Sequence, residues 1–169
     1  LGNGGNDSLR GGSGDDVLDG GDGVDFANYF NDGQDAAGAG AGATVNLATG
    51  VATDNWGNTD TLSNFENVLG SFSADNITGD DGDNVIYSLG GGDTIDGGAG
   101  NDLLVDFDGD GTLIGGDGND FLLGARGNDI LTGGNNADTF RFTTNEFGDT
   151  DFGHDTITDF DVAEDILDL

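Results

Sequence analysis

The chain has 169 residues, enough for one domain or one repeat stack, and its 34 acidic residues against three basic ones give a formal net charge of −31. This charge excludes nucleic-acid binding, which needs a basic surface, and no apolar run approaches the length of a membrane span. The absence of Cys excludes disulfide scaffolds and thiolate metal sites, and the 35 glycines would predict disorder if the apolar residues were not placed periodically.

Residues 1–28 are predicted to form a short block of nine-residue repeats, with frames that start at residues 2, 11 and 20. In each frame the eighth place is apolar and the sixth place is Asp. The eighth places are Leu9, Leu18 and Ala27, and the sixth places are Asp7, Asp16 and Asp25.

Residues 29–69 interrupt the period and are predicted to be an insertion with short strands. Residues 34–42 are rich in Gly and Ala and are typical of a loop, whereas residues 44–47 and 51–53 are typical of two strands around a turn. Residues 60–68 are predicted to be rich in strand. The apolar residues of this last segment should continue or cap the core; they are Leu62, Phe65 and Val68.

Residues 70–141 are predicted to be the main repeat block, with eight frames that start at residue 70 and recur every nine residues. Every eighth place is large and apolar: Ile77, Ile86, Ile95, Leu104, Leu113, Leu122, Leu131 and Phe140. The sixth places are Asp75, Asn84, Asp93, Asp102, Gly111, Asp120, Asp129 and Asp138.

Residues 142–169 lose the period and are predicted to cap the stack, because an open end would expose apolar side chains and strand edges. Both ends of the chain are expected to be cut from a longer polypeptide, since Leu1 lies one residue before a frame.

His154, the sole His, is interpreted as a solvated cap residue, with a ligand or switch role as the alternative. Trp56 is interpreted as packing in a loop, with sugar stacking as the alternative.

The repeat unit has a simple physical interpretation. Places seven to nine form a three-residue strand whose middle side chain points inward. Places one to six form a turn that needs positive φ angles, which Gly adopts at little cost. Two repeats make one coil of 18 residues, so that two parallel sheets lie back to back around a thin core and coils stack roughly 4.8 Å apart.

The sixth places predict a cation. Stacked carboxylates roughly 4.8 Å apart would repel by about 3–4 kcal/mol at an effective dielectric near 20. Calcium takes oxygen ligands at about 2.3–2.6 Å, so two oxygens across one ion lie roughly 4.6–5.2 Å apart, which matches the coil spacing. Magnesium fits less well, because it keeps its waters and requires octahedral geometry. We therefore expect several calcium ions between neighbouring turns.

The frames at residues 97 and 115 read Gly-Gly-x-Gly-x-Asp followed by an apolar strand, and with this pattern the chain resembles the RTX calcium-binding repeat family over most of its length. The resemblance implies an all-β, right-handed parallel β-roll, bacterial origin and export by a type I system. It also implies that each ion is held by two sixth-place Asp residues and by turn carbonyls. In that family residues 60–68 would correspond to a lead-in and residues 142–169 to a closing segment.

Carried over from the family, one ion would lie between Gly98, Gly100 and Asp102 of one turn and Gly115, Asp117 and Asp120 of the next. A second ion would lie between Gly116, Gly118 and Asp120 and Gly133, Asn135 and Asp138. On the opposite edge Asp75 would pair with Asp93, and in the first block Asp7 would pair with Asp25. The remaining candidate ligands are Asp16, Asn84 and Asp129.

Two departures from the pattern weaken this assignment. Asn84 replaces an Asp, and Gly111 offers no carboxylate to Asp93 or Asp129. The frame that contains Gly111 also resembles an EF-hand loop, but Leu113 keeps the phase of the roll and no amphipathic helix flanks the loop. A degenerate turn of the roll with an altered site is therefore preferred.

No catalytic or cofactor site other than calcium is predicted, because the sequence offers no pair of base and nucleophile. The preferred hypothesis is a calcium-binding module of a larger secreted or cell-surface bacterial protein, with a structural, adhesive or assembly role. The alternatives are a C-terminal export and folding module of a type I-secreted metalloprotease, lipase or alginate epimerase, and a polysaccharide-binding module. Its partners would then be calcium, a second copy or an acidic polysaccharide.

Overall fold

The computed structural model describes residues 1–30, 41–142 and 153–169, and in these ranges the chain forms strands and no helix. Consequently, no described segment is a helix with the length and apolar character needed to cross a membrane. The strands are β1 (Ser8–Leu9), β2 (Val17–Asp19), β3 (Phe26–Asn28), β4 (Thr44–Asn46), β5 (Val51–Thr53), β6 (Thr59–Ser63), β7 (Asn67–Leu69), β8 (Asn76–Thr78), β9 (Val85–Tyr87), β10 (Thr94–Ala99), β11 (Leu103–Val105), β12 (Thr112–Asp117), β13 (Phe121–Leu123), β14 (Ile130–Asn135), β15 (Thr139–Arg141), β16 (Thr156–Ile157) and β17 (Ile166–Asp168).

The strands form two sheets, and this confirms the predicted all-β parallel roll. One sheet has the order β1-β3-β7-β9-β11-β13-β15-β17, and the other has the order β16-β14-β12-β10-β8-β4-β5-β6-β2. In the second sheet Ile95 pairs with Ile77 on one side and with Leu113 on the other, a shift of one 18-residue coil each way. Strands β10, β12 and β14 run six residues rather than the predicted three, because the following turn residues pair as well.

The core is a double file of eighth-place side chains. In the main block all eight of these side chains, from Ile77 to Phe140, are fully buried. In the first block Leu18 and Ala27 are buried and Leu9 packs against the core. Each buried Leu or Ile contributes about 1.5–3 kcal/mol relative to an exposed one, so the roll has a continuous but thin apolar core.

The segment between the two repeat blocks, which breaks the nine-residue period, continues both sheets of the roll. β4, β5 and β6 form an antiparallel meander in the second sheet, which agrees with the predicted pair of strands, and β4 pairs with β8. β7 lies between β3 and β9 and places Val68 between Ala27 and Ile86. Leu62, Phe65 and Val68 are buried, as predicted. Most of the loop predicted over residues 34–42 lies outside the described residues.

The C-terminal strands form the last coil. β16 pairs with β14 and β17 pairs with β15, which sets Ile157 beside Leu131 and Leu167 beside Phe140. The ring of Phe160 lies 5.9 Å from that of Phe140. Leu167 remains 46% exposed, so residues 153–169 continue both sheets but cover this end of the core only in part.

Candidate metal sites

Each edge of the roll carries a file of side chains from the sixth place of the turns. On both edges most of these side chains have an oxygen that accepts a hydrogen bond from the backbone amide of the sixth-place residue one coil earlier. The amide of Asp102 donates to Asp120 Oδ1 at 2.8 Å, and the amide of Asp120 donates to Asp138 Oδ1 at 2.9 Å. We call these two files the carboxylate ladders.

The first ladder follows the eight-stranded sheet. It consists of Asp7, Asp25, Glu66, Asn84, Asp102, Asp120, Asp138 and Asp165. The predicted partners Asp7 and Asp25 are therefore neighbours, and so are Asp102 and Asp120. Sequence reasoning missed two members, Glu66 and Asp165. Each stands two residues before an apolar strand residue, Val68 or Leu167, and that spacing was the available signal.

The second ladder follows the nine-stranded sheet. It has two parts on either side of the β4–β6 meander: Asp16 and Asp60 in the first, and Asp75, Asp93, Asp106, Asp129 and Asp155 in the second, where Asp75 accepts the amide of Ala43. The predicted pair Asp75 and Asp93 is joined by a 2.7 Å bond from amide to carboxylate. Asp60, Asp106 and Asp155 were missed. Asp60 and Asp155 again precede an apolar strand residue by two places, whereas Asp106 stands at place one of its frame.

The second oxygen of most ladder carboxylates is buried and has no hydrogen-bond partner. In the described part of the chain this holds for the Oδ2 atoms of Asp7, Asp16, Asp25, Asp93, Asp102, Asp106, Asp120 and Asp129. A buried acceptor without a partner costs about 1–3 kcal/mol, and more if it is charged. A row of such oxygens therefore identifies positions that favour a cation or a proton.

The glycines of the turns make room for these oxygens. A Cβ on Gly97 or Gly115, at place one, would collide with the Oδ2 atom of the sixth-place Asp in the same turn. Gly98 and Gly116, at place two, have φ angles of 104° and 115°, and a Cβ on Gly116 would collide with the carbonyl oxygen of Gly98. Carbonyl and carboxylate oxygens of successive turns are thus packed closely together.

The predicted carbonyl donors lie side by side on adjacent coils. Gly98 is opposite Gly116 in the β10–β12 pair, and Asp117 is opposite Asn135 in the β12–β14 pair. The carbonyl of Asp117 accepts the amide of Gly100 at 2.8 Å, so one of its two lone pairs is used within the roll. The other backbone carbonyls predicted to bind calcium at these two sites belong to the same turns, at Gly100, Gly115, Gly118 and Gly133.

Burial raises the pKa of several carboxylates in the main block of the ladders. The pKa rises to about 7 for Asp93, Asp102 and Asp129, and to about 6 for Asp138. Loss of hydration is the main cause in each case, neighbouring carboxylates add to the rise, and the backbone hydrogen bond opposes it. The folded roll therefore disfavours the bare anions.

Two turns satisfy their sixth-place side chain without a cation. Both oxygens of Asp75 are occupied, because Ala43 and Ser71 donate their amides and the Ser71 hydroxyl donates at 2.8 Å. Asn84 accepts the Asp80 amide at 2.8 Å and donates to the carbonyl of Glu66. The predicted ligands Asp75 and Asn84 thus lie in turns that are already closed by hydrogen bonds.

The donor set fits calcium. No group of three or more His, Asp or Glu side chains converges as a preformed centre within residues 1–30, 41–142 and 153–169. A site between two turns instead offers two carboxylates and several backbone carbonyls, all hard oxygen donors of the kind calcium prefers. The EF-hand alternative is wrong, because a strand, β12, follows the loop and buries Leu113. His154 is exposed, and its amide donates to Asn128.

Comparison with known proteins agrees with this chemistry. A family described as the RTX calcium-binding nonapeptide repeat matches the chain in four copies. The matched residues are 1–28, 69–104 and 106–140, which together make up more than half of the chain. No curated protein matches the chain.

Proposed function

Because the chain belongs to the RTX calcium-binding nonapeptide repeat family and is a calcium-binding β-roll module, we propose that it folds on extracellular calcium as part of a larger secreted or surface protein of bacterial origin. In that protein it serves a structural, adhesive or assembly role. The observation that carries this proposal is the row of eight buried carboxylate oxygens without partners along the two ladders.

The ligands follow from the turns. Asp102 and Asp120 would hold one ion with the carbonyls of their two turns, and Asp120 and Asp138 would hold the next. When bound, calcium supplies the positive charge that these dehydrated anions lack. The sites exist only where coils stack, so binding favours the folded chain by mass action, and a site at 100 times its Kd adds about 2.7 kcal/mol.

The net charge supports folding after export. A chain of charge −31 with few compensating cations repels itself and stays expanded when calcium is scarce. Extracellular calcium near millimolar saturates sites of modest affinity. The same 169 residues thus remain unfolded during passage and fold outside. The proposal assigns no catalytic role to this chain.

A calcium titration tests the proposal. Far-ultraviolet circular dichroism should change from coil to β as calcium is added to the chelator-treated chain, and EGTA should reverse the change. Magnesium at the same concentration is the matched control and should be much less effective, because turn carbonyls do not offer rigid octahedral geometry. An unchanged β signal in EGTA, or an equal response to magnesium, would contradict the proposal.

Polysaccharide binding is a second candidate, favoured by a row of aromatic rings on the outer side of the eight-stranded sheet. Tyr87 stacks between Phe26 and Phe107, with centroid separations of 6.3 Å and 6.0 Å. Phe107 is 43% exposed and offers its face to a sugar ring. Retention on alginate beads in calcium, weakened by Phe107→Ala, would support this role, and equal retention of both proteins would refute the part played by the ring.

A further inference from the structure

The turn over residues 106–111 has Gly where the ladder needs a carboxylate, but the position is not empty. Asp106, at place one of the same turn, is fully buried. A Cβ added to Gly111 would collide with Asp106 Oδ2, which shows that this carboxylate occupies the space of a sixth-place side chain. Gly111 and Asp106 are thus a complementary pair.

Asp106 also lies where a ladder residue would lie. Its carboxylate is close to the backbone amide of Asp93, one coil earlier in the file, and accepts the amide of Asp108 at 3.4 Å. The Gly111 amide continues the file and donates to Asp129 Oδ1 at 2.7 Å. Asp106 and Gly111 thus supply the side chain and the amide of this rung, although the repeat pattern fails there.

The free oxygens belong to two neighbouring turns, whose carboxylates interact electrostatically. The Oδ2 atoms of Asp93 and Asp106 are buried and have no hydrogen-bond partner, and the two residues are 1% and 0% exposed. The Ser88 hydroxyl lies near both carboxylates and donates to the carbonyl oxygen of Val105 at 3.4 Å. A hydroxyl is a neutral donor, so it does not compensate the charge of two neighbouring anions.

We propose that Asp106 is a metal ligand, and that with Asp93 it forms a calcium site between the turns over residues 88–93 and 106–111. The site takes one carboxylate from place six and one from place one. This inference rests on the proposed function, because it uses the same ion and the same stacking of turns. It goes beyond the repeat pattern, which offers no ligand at Gly111.

The test compares the number of calcium ions bound by the full chain, measured by isothermal titration calorimetry and native mass spectrometry. Asp106→Asn should bind about one ion fewer than the unaltered chain, because the amide keeps the shape but loses the charge. The matched control is Asp81→Asn, which removes the same charge from an exposed position outside the ladders and should keep every ion.

A second variant keeps the proposal falsifiable if Asp106→Asn folds poorly. Asp106→Gly with Gly111→Asp moves the carboxylate from place one to place six and should restore the ion that Asp106→Gly loses. Equal ion counts for Asp106→Asn and the unaltered chain would overturn the proposal, and so would failure of the double variant to regain the ion. If the unaltered chain binds no calcium, the proposed function fails instead, so the two failures are distinguishable.

Discussion

Asp120→Asn should change the stability of the roll in opposite directions with and without calcium. Asp120 lies between Asp102 and Asp138 in the ladder, and its Oδ2 atom is buried without a partner. At a rung spacing of roughly 4.8 Å, each neighbouring carboxylate repels it by about 3 kcal/mol at an effective dielectric near 20. Partial protonation reduces this repulsion, so we expect the substitution to stabilise the calcium-free roll by about 1–3 kcal/mol.

With calcium the same change removes a charged ligand from two predicted sites. A tenfold loss of affinity at each site corresponds to about 1.4 kcal/mol, and the loss for the two sites is then about 3 kcal/mol. The amide still accepts the hydrogen bond from the Asp102 backbone, so the fold itself is preserved. Together with the gain of about 1–3 kcal/mol in the calcium-free roll, the net effect in saturating calcium is a destabilisation of up to about 2 kcal/mol, and folding then needs more calcium.

The assay is urea denaturation followed by circular dichroism, carried out in saturating calcium and in EGTA. Asp81→Asn serves as the control and should have little effect in either condition, because its side chain is exposed. If Asp120→Asn shifts stability in the same direction in both conditions, the ladder carboxylates do not act as ligands and the reasoning is refuted.

Three further predictions follow from the same geometry. In EGTA the β signal should increase when the pH is lowered from about 8 to 5. Burial raises the pKa of Asp102 to about 7, so protonation stabilises the roll below that pH and this stability is lost as the pH rises through that value. A decrease of the β signal over this range would contradict the direction of the pKa shift. Gly116→Ala should lower the free energy of unfolding by well over the roughly 1–2 kcal/mol of a left-handed residue, because its φ is 115° and the Cβ would also collide with a carbonyl oxygen. Gly14→Ala is the control, since Gly14 has a φ of 116° but open space around it, and it should lose only the backbone contribution. Equal melting temperatures of the two variants would contradict this. Ser71→Ala should cost about 1–3 kcal/mol equally at saturating and at limiting calcium, because its hydroxyl bonds Asp75 in a turn that needs no ion; a cost that depends on calcium in urea titrations would contradict it.

The period of nine predicted most of the roll, for a physical reason. One inward side chain in each three-residue strand ties sequence spacing directly to coil geometry, so Ile77 and Phe140 could be assigned to the core without a structure. The same period aligned Asp102 with Asp120. Where the spacing changes, as around β4–β7, the stacking continues through pairings that the period does not encode.

The remainder depends on contacts that a repeat pattern does not contain. Asp75 and Asp93 look alike in sequence, but Ser71 at place two donates to the former, whereas Leu89 at the equivalent place has a φ of 81° and the latter keeps a free oxygen. Asp106 acts from a different place in its frame, so only the three-dimensional overlap with Gly111 reveals it.

Most hydrogen bonds of the carboxylate ladders run in one direction, since a side-chain oxygen of one coil accepts the backbone amide of the coil before it. Such a stack has a direction. The side chain of each coil supplies the acceptor for the amide of the coil before it, and its own amide is available to the side chain of the coil after it. Asp155 and Asp165 fill the amides of Asp129 and Asp138 in this manner. The two ends of a ladder are therefore chemically different, because one presents side-chain oxygens and the other presents backbone amides.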